Sequence, residues 1–364
     1  MLTQASSQQA SSQQASQQQA SQQQASQQVP LPDPGTSLAT PQIVDCGEFD
    51  EATMNLFLAP GPNPYRETEE FLFDCEMRAD EMPRFVRRSL LEFQVRSNSD
   101  GILLIRGLPI DPGLYRIPTP PNAERSPQKT TFVSERCLAM IGSRLGHLVS
   151  YIQEKNGDLF QNLAPVKGTE HVQVSTGSQT RLQFHRETVF HPYPPEFLLL
   201  FCLRPDHDHA AETTYASVAH ALPLLSEAHQ DLLFQPLYRT GIDYSFGNRD
   251  RTQQSNRILP VLYGRRNDPF LNYDEDLMTA TTPEAEEALA ALRTAIAQVY
   301  RSIKLDTGDL LCIDNRRTVH GRSAFTPRYD GRDRWLQRSF VVRDLGLSAV
   351  DRLPGERIIR TTFE

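Results

Sequence analysis

The sequence predicts a mainly β fold with flanking helices, a double-stranded β-helix or jelly roll. Three observations point there. Strand-like runs dominate from about residue 180 onward. The residues best suited to bind a metal, His185, Glu187 and His320, sit on or beside those runs. Helical periodicity falls mostly upstream, where it can pack outside a barrel.

The N-terminus comes first. Residues 4–28 repeat a pentad, QASSQ then QASQQ, with no charge and almost no large apolar side chain. Such a segment cannot bury enough surface to offset its ordering entropy, which predicts disorder. Gln and Ala are fair helix formers, so a helix is the alternative. VPLPDPGTSLATP (29–41) is a Pro-rich linker. The expected organisation is a 1–41 leader and one 42–364 domain. The chain has 364 residues, and a single large barrel with decorating helices accommodates that length.

Residues 65–96 carry helical periodicity and many charges. GILLIRGLPI (101–110) is a buried strand ending in a turn at Pro109, and residues 131–146 are helical. RLQFHRE (181–187) is a strand, and FLLLFCLR (197–204) is one buried on both faces. A helix is expected from Pro283 to about Ile303. Thr282 is its N-cap and Pro283 takes the first helical position. Leu289, Leu292, Ile296, Val299 and Ile303 make its apolar stripe. GDLLCIDNRRTVHGR (308–322) is strand-turn-strand, and RWLQRSFVV (334–342) is another strand.

Composition removes several function classes. The formal net charge of -8 argues against a nucleic-acid partner. No apolar run approaches the roughly 20 residues that cross a bilayer. No basic n-region or apolar h-region opens the chain, so no secretory signal is expected. Five cysteines (46, 75, 137, 202 and 312) are odd in number and contain no C-x-x-C. That pattern fits reduced thiols in a cytoplasmic protein. No protein partner can be read.

His185 and Glu187 are two apart, so on a strand they share a face and Arg186 points away. His320 follows the strand GDLLCID, and Gly321 after it permits close backbone approach. Two imidazoles and one carboxylate suit the facial triad of a non-haem Fe(II) oxygenase, which leaves positions open for a co-substrate and O₂. Each piece alone also fits an exposed strand or a turn histidine. His207 and His209, in RPDHDHAAE, fit a solvated loop better than a metal site. Arg334 and Arg338 lie four apart on one strand, about 13 Å between Cα atoms on one face. Two inward arginines are costly unless each meets an anion. One anion would be the far carboxylate of a dicarboxylate co-substrate such as 2-oxoglutarate, and the other an amino-acid carboxylate. Asp274 and Asp276, in LNYDEDLM, alternate to one face. They suit a cationic side chain or an α-amine, or simply make a charged loop.

These residues resemble the clavaminate-synthase-like Fe(II)/2-oxoglutarate oxygenases, which include free amino-acid hydroxylases acting on arginine, asparagine and lysine. The resemblance runs from about Gly101 to Val342. It is carried by YIQEKNGDLFQNLAPV, FHRETVFHPYPPEFLLLFCLR, AAETTYAS, YDEDLM and DNRRTVHGRSAFTPRYDGRDRWLQR. It implies that His185, Glu187 and His320 hold Fe(II). It implies that Arg334 pairs with the far carboxylate of 2-oxoglutarate, assisted by Thr213, with the neighbouring Thr214 as the other register. Arg338 would take the substrate α-carboxylate, Glu154 its α-amine, and Asp274 and Asp276 its side chain. One departure is Arg186, where many relatives carry a small residue between the ligands.

The activity implied is hydroxylation at C3 or C4 of a free L-amino acid, with 2-oxoglutarate and O₂ as co-substrates and succinate and CO₂ as products. Two acidic residues at the side-chain end favour lysine or arginine. The alternatives are another or carrier-bound amino acid, a desaturation or cyclisation at the same site, or a non-catalytic jelly-roll binding protein.

Overall fold

A computed structural model describes residues 41–47, 49–247 and 254–363. The pentad repeat and all but the last residue of the Pro-rich linker lie outside them. The described residues form seventeen strands in chain order: β1 (Gln42–Asp45), β2 (Ile102–Arg106), β3 (His147–Tyr151), β4 (Gln161–Leu163), β5 (Leu182–His185), β6 (Phe197–Arg204), β7 (Thr213–Ser217), β8 (Tyr238–Gly241), β9 (Gln254–Leu259), β10 (Leu262–Arg265), β11 (Asp268–Leu271), β12 (Met278–Ala280), β13 (Arg301–Ile303), β14 (Leu310–Asp314), β15 (Thr318–Arg322), β16 (Trp335–Val342) and β17 (Ile358–Ile359).

Two sheets build the jelly roll. The larger runs β1-β2-β14-β6-β16-β3-β17, with β4 also on β16. The smaller runs β13-β7-β15-β5. The larger sheet is buried on both faces, and its alternation shows why β6 reads as a continuous apolar run. Phe197, Leu199, Phe201 and Leu203 join an outer core with the helices. Leu198, Leu200 and Cys202 face the inner core. β14 divides the same way, Leu310 and Cys312 outward, Leu311 and Ile313 inward.

Four helices contribute to the outer layer: α1 (Glu51–Leu58), α2 (Thr68–Asp80), α3 (Arg84–Arg96) and α4 (Val133–Ser143). The helical stretch expected over 65–96 is two helices, because Pro83 cannot extend α2 and instead precedes the first residue of α3. Short helices α5 (Val218–Ala221) and α6 (Glu227–Leu233) lead to α7 (Pro283–Val299). Thr282 caps α7 through a bond from the Ala285 amide, and Pro283 opens it. The helix does not reach Ile303. It stops at Val299, and Arg301–Ile303 turn into β13 against β7. Pairing with the small sheet outweighs the helical stripe that Ile303 would have extended.

Candidate active site

The small sheet brings the metal candidates together by register. His320 on β15 stands directly opposite His185 on β5. Their ring centroids are 4.4 Å apart. β5 ends at His185, so Glu187 is not on the strand as expected but in the turn that follows it. Its Oε1 still reaches within 3.4 Å of His320 Nε2. Asn315 fixes that turn, accepting from the Glu187 amide and donating to its carbonyl. One ligand atom from each of His185, Glu187 and His320 lies within 4.8 Å of the others.

Gly321 makes the close approach possible. A Cβ there would stand 2.4 Å from the Leu182 carbonyl and 3.0 Å from Thr214 Oγ1. Arg186 turns away from the triad as expected, with its guanidinium on the Tyr263 hydroxyl at 3.1 Å and on Asn272.

The electrostatics suit a cation. Burial, reinforced by His185, pushes His320 down to about 4, so the imidazole is neutral and able to ligate. Burial alone would raise Glu187, but Arg338 and the two imidazoles hold it well below the ordinary carboxylate range. His320 Nδ1 is buried without a hydrogen-bond partner. Two imidazoles with one carboxylate are the donor set that Fe(II) takes. The residues therefore fit the metal.

A cavity opens between the two sheets. It is lined from one side by Leu200, Leu336 and Arg338, and from the other by His185, Thr213 and His320. Arg334 lines it too, from the residue just before β16. Arg334, Leu336 and Arg338 thus share the inner face as expected. Of the two threonines, Thr213 lines the cavity; Thr214 lies under Gly321.

The two arginines differ. Arg334 has no ion pair among the described residues, and burial lowers its pKa. Asp206 is the carboxylate nearest in effect, but its oxygens accept from the Ala210 and Ala211 amides. Arg338 is engaged by three side chains. Nε donates to Gln161 Oε1 at 3.0 Å and Nη1 to Glu187 Oε1 at 3.0 Å. Nη2 donates to Glu154 and, at 2.6 Å, to Gln161. Burial opposes the Arg338 charge, and Glu154 and Glu187 more than offset it.

Glu154 is 5 % exposed, and its Oε2 is buried with no partner. Burial raises its carboxyl to about 7 despite Arg338. Asp274 and Asp276 both line the cavity, though not from one strand: Asp274 makes an isolated bridge to His185, and Asp276 sits in the turn that follows. Asp274 Oδ1 caps that turn, accepting from the Asp276 and Leu277 amides. Burial, with Asp276 adding to it, raises Asp274 to about 7.

Three residues in or beside the site went unnoticed in the sequence. Asp243 stands with Asp274 and Asp276, and no motif marks it. Gln161 bridges to Arg338. Arg322 lies two residues after His320, an alternation that does place it on the same face. His207 comes together with Asp330 and Asp333, but the nearest carboxylates meet opposite ring nitrogens, Nε2 at 3.0 Å and Nδ1 at 3.8 Å. That is the geometry of an imidazole bridging two loops.

Comparison with known proteins gives the family. The model described as taurine catabolism dioxygenase TauD, TfdA family, matches residues 92–340. L-asparagine oxygenase of Streptomyces coelicolor is 40 % identical over 263 residues, covering 72 % of this chain and 77 % of that protein. Clavaminate synthase 2 of Streptomyces clavuligerus is 36 % identical over 309 residues, 84 % of this chain and 94 % of that one. A solved asparagine oxygenase, in complex with Fe(II), 3-hydroxyasparagine and succinate, superposes with a TM-score of 0.79 at 34 % identity, covering 88 % and 99 % of the two chains. The non-heme iron oxygenase OrfP, in complex with Fe and alpha-ketoglutaric acid, gives 0.74 at 31 % identity over 85 % and 96 %. The jelly roll, the 2-His-1-carboxylate cluster and these likenesses agree: the chain belongs to the TauD/TfdA family and is an Fe(II)/2-oxoglutarate-dependent oxygenase.

Proposed function

We propose that residues 42–364 form one catalytic domain that hydroxylates C3 or C4 of a free basic L-amino acid, lysine or arginine. His185, Glu187 and His320 would hold Fe(II), and Arg334 with Thr213 would hold the far carboxylate of 2-oxoglutarate. When bound, iron and 2-oxoglutarate supply the oxidant that replaces C–H by C–OH, while O₂ and the 2-oxo acid become succinate, CO₂ and the new hydroxyl.

The observation that carries the substrate reading is the Arg338–Glu154 pair, buried beside the triad with Glu154 Oε2 unpartnered. A buried carboxylate oxygen without a donor is costly, and an α-ammonium group satisfies it. The α-carboxylate of the same molecule then takes N–H groups of Arg338. That clamp fixes the backbone of the amino acid and leaves its first side-chain carbons nearest the iron ligands. Beyond it, Asp243, Asp274 and Asp276 line the cavity together. Three carboxylates at the side-chain end favour a cation there. The relatives divide on this point: one is named an L-lysine 3-hydroxylase, another an L-ornithine/L-arginine 3-hydroxylase, and the asparagine oxygenase acts on a neutral side chain.

The five cysteines are buried free thiols, which supports a reducing compartment such as the cytoplasm. No helix among the described residues is long and apolar enough to cross a membrane.

The test is incubation with Fe(II), 2-oxoglutarate, ascorbate and each common amino acid, followed by mass spectrometry. Gain of one oxygen by lysine or arginine is expected. Gain only by neutral amino acids removes the basic-substrate reading. Loss of two hydrogens replaces hydroxylation by desaturation or cyclisation. Activity confined to carrier-bound amino acids removes the free-substrate reading.

A further inference from the structure

We propose that Arg322 is a second anion-binding residue of the co-substrate site, donating beside Arg334 to the far carboxylate of the 2-oxo diacid. The inference rests on the assignment of Arg334 to that carboxylate.

Four observations carry it. Arg322 is 5 % exposed and lines the same cavity as Arg334 and Thr213. Strand pairing sets Arg322 on β15 directly opposite Thr213 on β7. Both guanidiniums lie over one ring, Phe325, Arg322 at 5.0 Å and Arg334 at 6.0 Å. Among the described residues neither has an ion-pair partner, and Arg322 Nε is buried with no hydrogen-bond partner.

Two buried guanidinium groups gathered on one ring repel each other and lose hydration. Proteins hold such a pair when an anion sits between its members. Two neutral carbonyls do bond Arg322, Gly177 O from Nη1 and Thr180 O from Nη2 at 3.0 Å. They orient the fork without neutralising it. They leave Nε–H and one hydrogen on each terminal nitrogen free, a set of donors suited to a carboxylate. The same bonds tie Arg322 to the segment that carries Gln173, Val174 and Ser175 along the cavity wall. A carboxylate bound there would therefore also steady that wall.

The test separates charge recognition from scaffolding. Fe(II)-loaded protein is titrated anaerobically, by calorimetry, with 2-oxoglutarate and with 2-oxobutyrate. The second ligand has the same 2-oxo acid end and no far carboxylate. Arg322→Gln is expected to weaken 2-oxoglutarate about 10- to 100-fold, the loss of one or two charge-assisted bonds. Binding of 2-oxobutyrate should change less than about threefold. Equal losses for both ligands would make Arg322 a scaffold residue and overturn the proposal, as would no loss for either. Arg322→Lys covers the case in which the glutamine variant fails to fold. It keeps the charge and loses the fork, so 2-oxoglutarate should weaken about three- to tenfold with 2-oxobutyrate unchanged; equal changes again overturn it. Arg334→Gln is the control. If 2-oxoglutarate binds that variant normally, the Arg334 assignment itself falls. If Arg334→Gln weakens binding and both Arg322 variants do not, only the present inference falls.

Discussion

Replacing Arg338 by Lys separates the two anion sites most sharply. The Arg338 fork makes four hydrogen bonds, to Gln161 twice, Glu154 and Glu187. Lysine offers three donors on one nitrogen and cannot span those partners and still meet a substrate carboxylate. The variant keeps a positive charge near Glu154 and Glu187, which limits the stability loss. Full removal of the charge would leave two buried carboxylates, a penalty of about 3–5 kcal/mol. Glu154, already pushed up to about 7, can soften it by taking a proton. For substrate, a lost charge-assisted bond is worth about 1.5–3 kcal/mol, so KM for the amino acid should rise about 10- to 150-fold. KM for 2-oxoglutarate should stay within about threefold, because Arg334 is untouched. Steady-state succinate release, varied in each substrate separately, reads both values. A variant whose 2-oxoglutarate KM rises while the amino-acid KM stays fixed would refute the assignment of the two arginines.

Three further outcomes follow from the geometry. Gly321→Ala places a Cβ 2.4 Å from the Leu182 carbonyl, so β5 must move from β15. It should destabilise the fold by about 1–3 kcal/mol and sharply lower iron affinity, read by thermal melting and metal analysis. Asp243→Asn together with Asp276→Asn should raise KM for lysine or arginine at least about tenfold while leaving 2-oxoglutarate KM alone, and an unchanged amino-acid KM would argue that the acids serve the turn and not the substrate. Removal of residues 1–41 should leave kcat and both KM values within about twofold, since the triad, both arginines and the acidic residues named above all lie beyond them.

Much of the site was legible because its chemistry follows strand alternation. His320 is carried on β15, Arg338 on β16, and both point inward as a period of two requires. β6 was legible over its full length, since seven apolar residues closed by Arg204 leave little choice. Turns were harder. Glu187 reaches the cavity from a turn set by the distant Asn315, and Asp276 from a turn capped locally by Asp274. The end of α7 was hidden because Ile303 fits both a helical stripe and a strand, and only the β7 edge decides between them. Asp243 carries no local signal. Its role depends on a fold that brings a turn after β8 to the cavity from about 30 residues before Asp274. The mutual pairing of Arg338 with Glu154 is likewise a fact of three dimensions, joining residues 184 apart in sequence.

The measurement closest to the central claim is the yield of hydroxylated amino acid against succinate, for the native protein and for Glu187→Ala, each with its bound iron quantified. The account predicts one hydroxylated lysine or arginine per succinate in the native protein. It predicts neither product, and little retained iron, in the variant. Succinate formed without any amino-acid dependence, or hydroxylation that survives loss of Glu187, would contradict it.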